Sequence, residues 1–531
     1  MRSASASSPG YVDDATWPRS RRCRVAPRSS AGLIAALCLV LVAERSGAVE
    51  VAGTAGQLRL NGYLDFLAIV ATDDSPRQLP QGLLDLRLEA RPALRWLRGY
   101  VELRGRAGGP LEDGDPGVYD LLHAFQRRTP SLEINEAYAE VLLRRFELRA
   151  GIQKVAWGKL DGLPPSDVLN PRDYHDPFVW DLEERKIGIP ALLATYYLPA
   201  LPRFDLSELR ATLVYVPLAV PPRLGLLEER WFPESVAVAS EVFITKEALS
   251  EAFEIPFSRG LVVPVRFRTL NRRPPNDLEA GGLAFRLGGT FRSADWDVYH
   301  YSGPDTGPTL DLKTRAFLIQ QSGDAPLALR AVADLVQSHE RIHMTAADLA
   351  VAFGGVTMRA EAAVFQNRPF LRRAGDLFSP EALADLPLRR VGQKLLKNGR
   401  ARVPIGDLFV DRDAVDWGIG ADYLIEGYQP LLQVSQTALL ESAPRLLIAN
   451  PETRLSGTLR KRFMQDRLEL EVRGLYAIER GSWLLFPRIS YTPFDNLRLR
   501  VGYLAINGPR ASLLGQFRKN DEVVFQARYT F

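Results

Sequence analysis

The feature that most constrains this chain is a recurring segment of roughly ten residues in which apolar and polar side chains alternate. Leu84, Leu86, Leu88 and Ala90 share one face, and Asp85, Arg87, Glu89 and Arg91 share the other. Phe146, Leu148, Ala150 and Ile152 oppose Glu147, Arg149, Gly151 and Gln153 in the same way. Met358, Ala360, Ala362 and Val364 oppose Thr357, Arg359, Glu361 and Ala363. A period of two belongs to a strand whose two faces meet unlike surroundings. Such segments start near residues 57, 81, 96, 132, 145, 190, 208, 278, 294, 308, 326, 341, 356, 411, 428, 452, 466, 483, 496 and 521.

A soluble two-sheet sandwich alternates as well, so the connections must decide. Every second one is tight: Leu143-Arg144, Ser293-Ala294, Gly354-Gly355, Gln465-Asp466 and Phe494-Asp495-Asn496. Most of the others are long: 107–131, 157–189, 218–277, 367–410, 441–451 and 507–520. Short turns at one rim and long loops at the other describe an all-β protein, a closed antiparallel transmembrane β-barrel of about 20 strands, with 18 as the alternative count. Counted back from Phe531, every tight turn falls on the periplasmic rim, which leaves the long loops extracellular.

Both ends agree with an outer-membrane destination. In the last strand Val523, Phe525, Ala527, Tyr529 and Phe531 form an apolar row, backed by Val524, Gln526, Arg528 and Thr530. A terminal aromatic strand is expected to engage the barrel assembly machinery and then the outer-membrane lipids. At the other end, Arg19, Arg21, Arg22, Arg24 and Arg28 precede the apolar run Ala31–Ala43, too short to span a bilayer but suited to a signal peptide. Ser46 and Ala48 place a cleavage site after Ala48, so 1–48 reads as an N-terminal extension plus signal peptide for the general secretory route. Residues 49–531 then read as a single barrel domain with inserted loops at 157–189, 218–277 and 367–410. Cys23 and Cys38 both fall in the removed segment, which excludes a disulfide framework or thiolate metal site in the mature chain.

Charged residues make up 24% of the chain, hydrophobic ones 46%, and the net charge is +4. A barrel with a polar interior has this near-neutral balance, because only alternate residues meet lipid. Nothing in it points to a nucleic-acid partner. Motifs that suggest chemistry are weak. His339-Glu340-Arg341-Ile342-His343 matches a zinc pattern that works on a helix, yet it lies between two alternating runs, at an expected hairpin tip. Gly281-Gly282 and Gly288-Gly289 flank strand residues and open no helix that would cradle phosphate. His123, His175 and His300 have no serine or cysteine partner in a nucleophile motif. No enzymatic activity, cofactor or metal is expected.

The informative stretch is Gly151 to Pro190. Its loop carries Pro164, Pro165, Pro171 and Pro177, which cut chain entropy and predict an ordered loop. Asp161, Asp167, Asp173, Asp176, Asp181, Glu183 and Glu184 face Lys159, Arg172, Arg185 and Lys186 within it. Trp157, Tyr174, Phe178 and Trp180 need something to pack against. A solvated external loop is the plain reading. A segment folded into the lumen, setting selectivity with its charges, is the functional one. The residues expected to line the pore or its constriction are therefore Arg87, Glu89, Glu102, Arg104, Arg149, Gln153, Trp157, Asp167, Asn170, Asp173, Glu183, Arg185, Arg359 and Glu361. Arg185 is expected to hold the loop through an inward carboxylate.

The pattern Gly151-x-Gln153-x-x-x-Trp157-Gly158, then Asn170-Pro171-x-Asp173, then Glu184-Arg185-Lys186-x-Gly188-x-Pro190, resembles the signature of a porin-like Gram-negative outer-membrane barrel family of unknown function. That family is similar in appearance to the alginate-export barrels. Trp483-x-x-x-Pro487-x-x-x-Tyr491, Phe517-x-x-Asn520-Asp521 and Tyr529-Thr530-Phe531 extend the resemblance to the C-terminus. It implies location and architecture: a channel for passive or exporter-coupled passage of small solutes, with a periplasmic transport partner in the exporter-coupled case. It supplies no solute. A non-conducting barrel serving as surface scaffold or adhesin is the alternative.

Overall fold

In the computed structural model the described residues run from 49 to 531, leaving out 54–55, 73–79, 109–118, 123–129, 224–229, 234–240, 271–280, 308, 320–327, 378, 380–381, 383–384 and 442–444. The expected signal segment, with both cysteines, lies outside them, as does His123.

The strands are β1 (Val49–Gly53), β2 (Gly56–Ala71), β3 (Gln81–Pro92), β4 (Leu97–Gly108), β5 (Ser131–Leu143), β6 (Phe146–Gln153), β7 (Ile189–Tyr197) and β8 (Leu206–Val216). Then come β9 (Glu241–Ile244), β10 (Leu261–Leu270), β11 (Gly282–Phe291), β12 (Ala294–Pro304), β13 (Leu310–Ile319), β14 (Ala328–Gln337), β15 (Arg341–Phe353) and β16 (Val356–Leu371). The last are β17 (Arg400–Val403), β18 (Phe409–Tyr423), β19 (Tyr428–Leu439), β20 (Glu452–Phe463), β21 (Leu468–Ala477), β22 (Ser482–Phe494), β23 (Leu497–Asn507) and β24 (Glu522–Thr530). Three helices matter below: α1 (Leu182–Arg185), α2 (Lys246–Phe253) and α3 (Leu388–Asn398).

Eighteen strands, β2–β8, β11, β12, β15, β16 and β18–β24, pair antiparallel in chain order, and β24 returns to β2 with Tyr63 opposite Thr530. Gly62 and Phe531 exchange both backbone hydrogen bonds at 3.0 Å across this seam. Closure removes the exposed edges that an open sheet would present. β1 folds back on β2 as a short hairpin, with Val49 opposite Leu60.

The ring therefore holds eighteen strands rather than about twenty. The segments expected near 308 and 326 are strands β13 and β14, but they leave the ring for a second sheet of order β17-β13-β14-β10-β9, in which β10 and β14 run parallel. Alternation reports a strand with unlike faces, and a small sheet covered on one side alternates as a barrel strand does. Here α2 and α3 supply the cover, packing Leu249, Phe253, Val391 and Leu395 over Val263, Leu312, Leu329 and Leu335. The two helices touch closely at Gly392, where a Cβ would stand 1.7 Å from the Ala252 carbonyl oxygen.

This small sheet is assembled from three insertions, between β8 and β11, β12 and β15, and β16 and β18. All three leave the long-loop rim from one arc of the ring. The 218–277 and 367–410 segments thus carry secondary structure of their own. The His339–His343 pattern is not at a hairpin tip. It crosses the junction from β14, which pairs with β13 and β10, to β15, which pairs with β12 and β16. Among the described residues, no group of three or more His, Cys, Asp or Glu side chains could hold a metal ion.

The barrel strands are apolar outside and polar inside. Leu470, Ile489, Val501 and Phe525 lie side by side across four strands and are 38%, 52%, 45% and 44% exposed. In the next row Glu471 faces Arg488, and both are buried. A soluble sheet would reverse this; a lipid-facing barrel requires it. No described helix is long and apolar enough to cross a membrane. Replacing Ile489 with Arg is expected to cost about 2–4 kcal/mol near the bilayer midplane. A urea titration of the barrel folded in lipid vesicles reads this, and an unchanged midpoint would reassign the face.

Candidate functional site

The site is the segment 154–188 that connects β6 to β7. Its ends are clipped together by Asn170. The Val155 N–H donates to Asn170 Oδ1 at 2.7 Å, and Asn170 Nδ2 donates to the carbonyls of Ile187 at 2.8 Å and Gln153 at 3.3 Å. Gln153 in turn donates to the Ala191 carbonyl at 2.8 Å, tying the clip to β7. Asp167, buried, accepts from Arg172 at 2.9 Å and pairs with Lys186 at 3.0 Å. Buried polar groups survive only when bonded in this way, so the clip explains why asparagine and aspartate stand at these positions.

Beyond the clip, the loop binds one arc of the wall. Register places Asp297 of β12 opposite Asp348 of β15, and Asp348 opposite Glu361 of β16. Like charges directly opposite each other destabilise a sheet, so this acidic row needs partners. Lys159 supplies one, with Nζ 2.8 Å from Asp297 and also bonded to Asp348. Arg286 donates twice to Asp297, at 2.8 and 2.9 Å, and Arg210 donates to both of its oxygens, at 3.1 and 3.4 Å. Glu361 accepts from the Ser166 N–H and hydroxyl, both at 2.6 Å, and from the Lys159 N–H at 3.2 Å. Gly158, at φ +84°, makes room for that carboxylate, since a Cβ there would lie 2.8 Å from Glu361 Oε2. The Trp157 ring packs 5.0 Å from Tyr299. On the next strand, Gly418 leaves space for Leu160, whose Cδ1 a Cβ would meet at 2.7 Å.

The same loop also reaches the opposite arc. Asp181 pairs with Arg473 of β21 at 2.6 Å, and Glu184 with Arg528 of β24 at 3.0 Å. Arg473 continues to Glu471 at 2.6 Å, and Arg528 to Asp65 at 2.7 Å. Arg104 of β4 donates to the Glu184 carbonyl at 3.1 Å and to Asp85 at 3.1 Å. The Lys154 N–H donates to Glu136 of β5 at 2.8 Å. Partners on β4, β5, β12, β15, β16, β18, β21 and β24 encircle the ring, and only a segment inside the lumen touches all of them. Burial alone would raise the Asp181 carboxyl; Arg473, Arg488 and Arg500 together outweigh it and hold the group below its ordinary value. Burial raises Asp161 despite Arg359 3.4 Å away.

The expected lining residues sort into three places. Arg87, Glu102 and Arg104 gather around Asp85, with Arg87 at 2.9 Å and Glu102 3.7 Å from Arg104, beside the Glu184 end of the loop. Arg359 and Glu361 hold the loop on the far arc. Glu89 pairs with Arg91 at 3.4 Å and Arg149 with Glu140 at 2.7 Å, both on the wall away from those anchors. Gln153, Trp157, Asp167, Asn170 and Asp173 are buried where the loop packs on itself and on the wall, Asp173 between Arg106 of β4 and Arg223 at 3.6 Å each. Glu183 pairs with Lys186 at 2.8 Å, and its side chain is 63% exposed. Arg185 is the correction: among the described residues it makes no ion pair, and burial pushes its guanidinium down to about 10. The neighbouring Glu184 does the anchoring, with the acid on the loop and the arginine on the wall. Sequence reasoning counted Lys159 and Asp181 among the loop's charges and Asp85 in a strand's polar row without naming them as lining residues, and it did not place Asp65, Asp297, Asp348, Arg473 or Arg528 at the site at all.

No family model and no curated protein matches this chain. Among solved structures it is similar to OccAB4 of Acinetobacter baumannii, with TM-score 0.43 and 10% identity over 89% of this chain and 97% of that one. OccK11 (OpdR) of Pseudomonas aeruginosa gives 0.42 and 10% over 89% and 96%. OmpF of Salmonella typhi gives 0.39 and 10% over 91% and 100%. Likenesses at these values carry no argument; the barrel stands on its own strand pairing.

Proposed function

We propose that this protein is a channel of a Gram-negative outer membrane through which small solutes pass, with the 154–188 loop setting the constriction. The single observation that carries the reading is the loop's anchorage to opposite arcs of a closed ring that is apolar outside and charged inside. Water reaches that interior: the Arg87 side chain is 42% exposed and that of Arg473 29%. The wall offers both signs of charge, so the lumen suits polar solutes in general and names none. The closing strand β24, followed at once by Phe531, is the segment we assign to the assembly machinery.

The experiment is conductance of the purified full-length protein in planar bilayers, with reversal potentials in a salt gradient. Discrete conductance steps support the channel. Their complete absence from correctly inserted protein would return the scaffold reading, which the small sheet on the long-loop rim otherwise favours.

A further inference from the structure

The small sheet covers one face with α2 and α3, and its other face is laid out by the register as a grid. One row runs Arg266, Val332, Arg315, Arg402 across β10, β14, β13 and β17. A second runs Arg330, Phe317, Arg400, and a third Arg268, Asp334, Lys313. Neighbours in a row lie ~5 Å apart and rows ~7 Å apart. Six arginines and one lysine thus crowd a single sheet face, with Val332 and Asp334 buried beneath them. Its one acid in these rows, Asp334, is already shared by Arg268 at 3.6 Å and Arg315. Asp311 lies one row beyond Lys313, and Glu241 stands on β9, so the face remains strongly positive. Arg266, Arg330, Arg400 and Arg402 are exposed. Among the described residues none of these four makes an ion pair; Arg330 only leans over the Phe317 ring at 5.8 Å.

Packing does not require this arrangement, because the opposite face supplies the core. Mutual repulsion of so many close cations opposes it. Arginine, with its planar fork, is the side chain suited to two-point contact with phosphate. Position indicates where the phosphate comes from. Three residues, 338–340, join β14 to β15, a span of at most ~14 Å, and Arg372 of the barrel end donates to Leu408 at 2.8 Å. The domain is therefore held at the long-loop rim, which in such barrels is the outer one.

We propose that this arginine face docks the phosphate-bearing sugar headgroups of the glycolipid leaflet surrounding the barrel, an inference that rests on the outer-membrane reading above. The occupant is a lipid headgroup rather than a groove-bound peptide, because the cations are spread over rows and columns of the sheet instead of lining a groove, and the short tether keeps them beside the long-loop rim.

The test titrates fluorescent bisphosphorylated lipid A, in mild detergent, into the full-length protein. Saturable binding is expected, weakened at least tenfold in R266Q/R330Q/R400Q/R402Q and equally weakened when the lipid A is dephosphorylated. R389Q/R390Q, on the exposed side of α3, is expected to bind as the parent does. Equal binding by the quadruple variant, equal binding of the dephosphorylated glycolipid, or tighter competition by a phosphate-free acidic polysaccharide would overturn the proposal. Bilayer conductance of the same variant preparation is expected to be unchanged, which separates failure of docking from failure of the channel reading. Should the quadruple variant not fold, R266Q/R402Q carries the test with an expected loss of at least threefold.

Discussion

Deleting residues 161–186 is expected to raise single-channel conductance several-fold and to move the reversal potential toward anions. The segment contributes seven carboxylates against Arg172, Arg185 and Lys186, so its loss removes four net negative charges from the lumen. It also frees Arg473 and Arg528 from Asp181 and Glu184. The field at a constriction is set by such side chains at close quarters, and both removals act in the same direction. Unchanged conductance would place the loop outside the conducting path, and a shift toward cations would contradict the charge balance.

The second large effect is expected from Lys159→Met. The substitution keeps most of the side chain's volume but leaves Asp297, Asp348 and Glu361 side by side with no ammonium from the loop. Removing one partner of a buried pair costs about 3–5 kcal/mol, and here the Asp297 and Asp348 side chains are fully buried. The loop should detach from this arc. Trypsin would then cut at Arg172, Arg185 or Lys186, and single-channel records would become noisy between sub-levels. Adding Asp348→Asn should restore much of the protection, because it removes one of the stranded charges. A loop that stays resistant to trypsin and quiet in recordings after Lys159→Met would show that the acidic row does not hold it.

Much of the barrel was legible because its determinants are local. A period of two with a tight turn fixes both strand and register: Gly354-Gly355 alone puts Asp348 opposite Glu361, and the turn at 292–293 puts Gly288 opposite Asp297. What could not be read is the pairing of Asp297 with Asp348, since residues 305–340 depart for another sheet between them. Two of those departing segments, β13 and β14, mimic barrel strands for the same reason. The loop was legible as ordered and lumen-seeking through its prolines and aromatics. Its anchors were not, because Asp181 meets Arg473 and Glu184 meets Arg528 across hundreds of residues of chain. Arg185 and Glu184 are adjacent, and nothing in the sequence tells which member of such a pair turns to the wall.

The loop's distribution of partners has a consequence in time. Its Asn170 clip joins residues at most 17 apart and can form as soon as β6 and β7 meet. Lys159 must wait for Asp297, 138 residues later, Asp181 for Arg473, 292 later, and Glu184 for Arg528, 344 later. Contacts of such separation form late, and the last belongs to the strand that shuts the seam against β2. All three ion pairs coexist only in a finished ring. A seated loop therefore marks a barrel whose assembly is complete, and a half-built one leaves the same segment without its wall anchors and open to proteolysis.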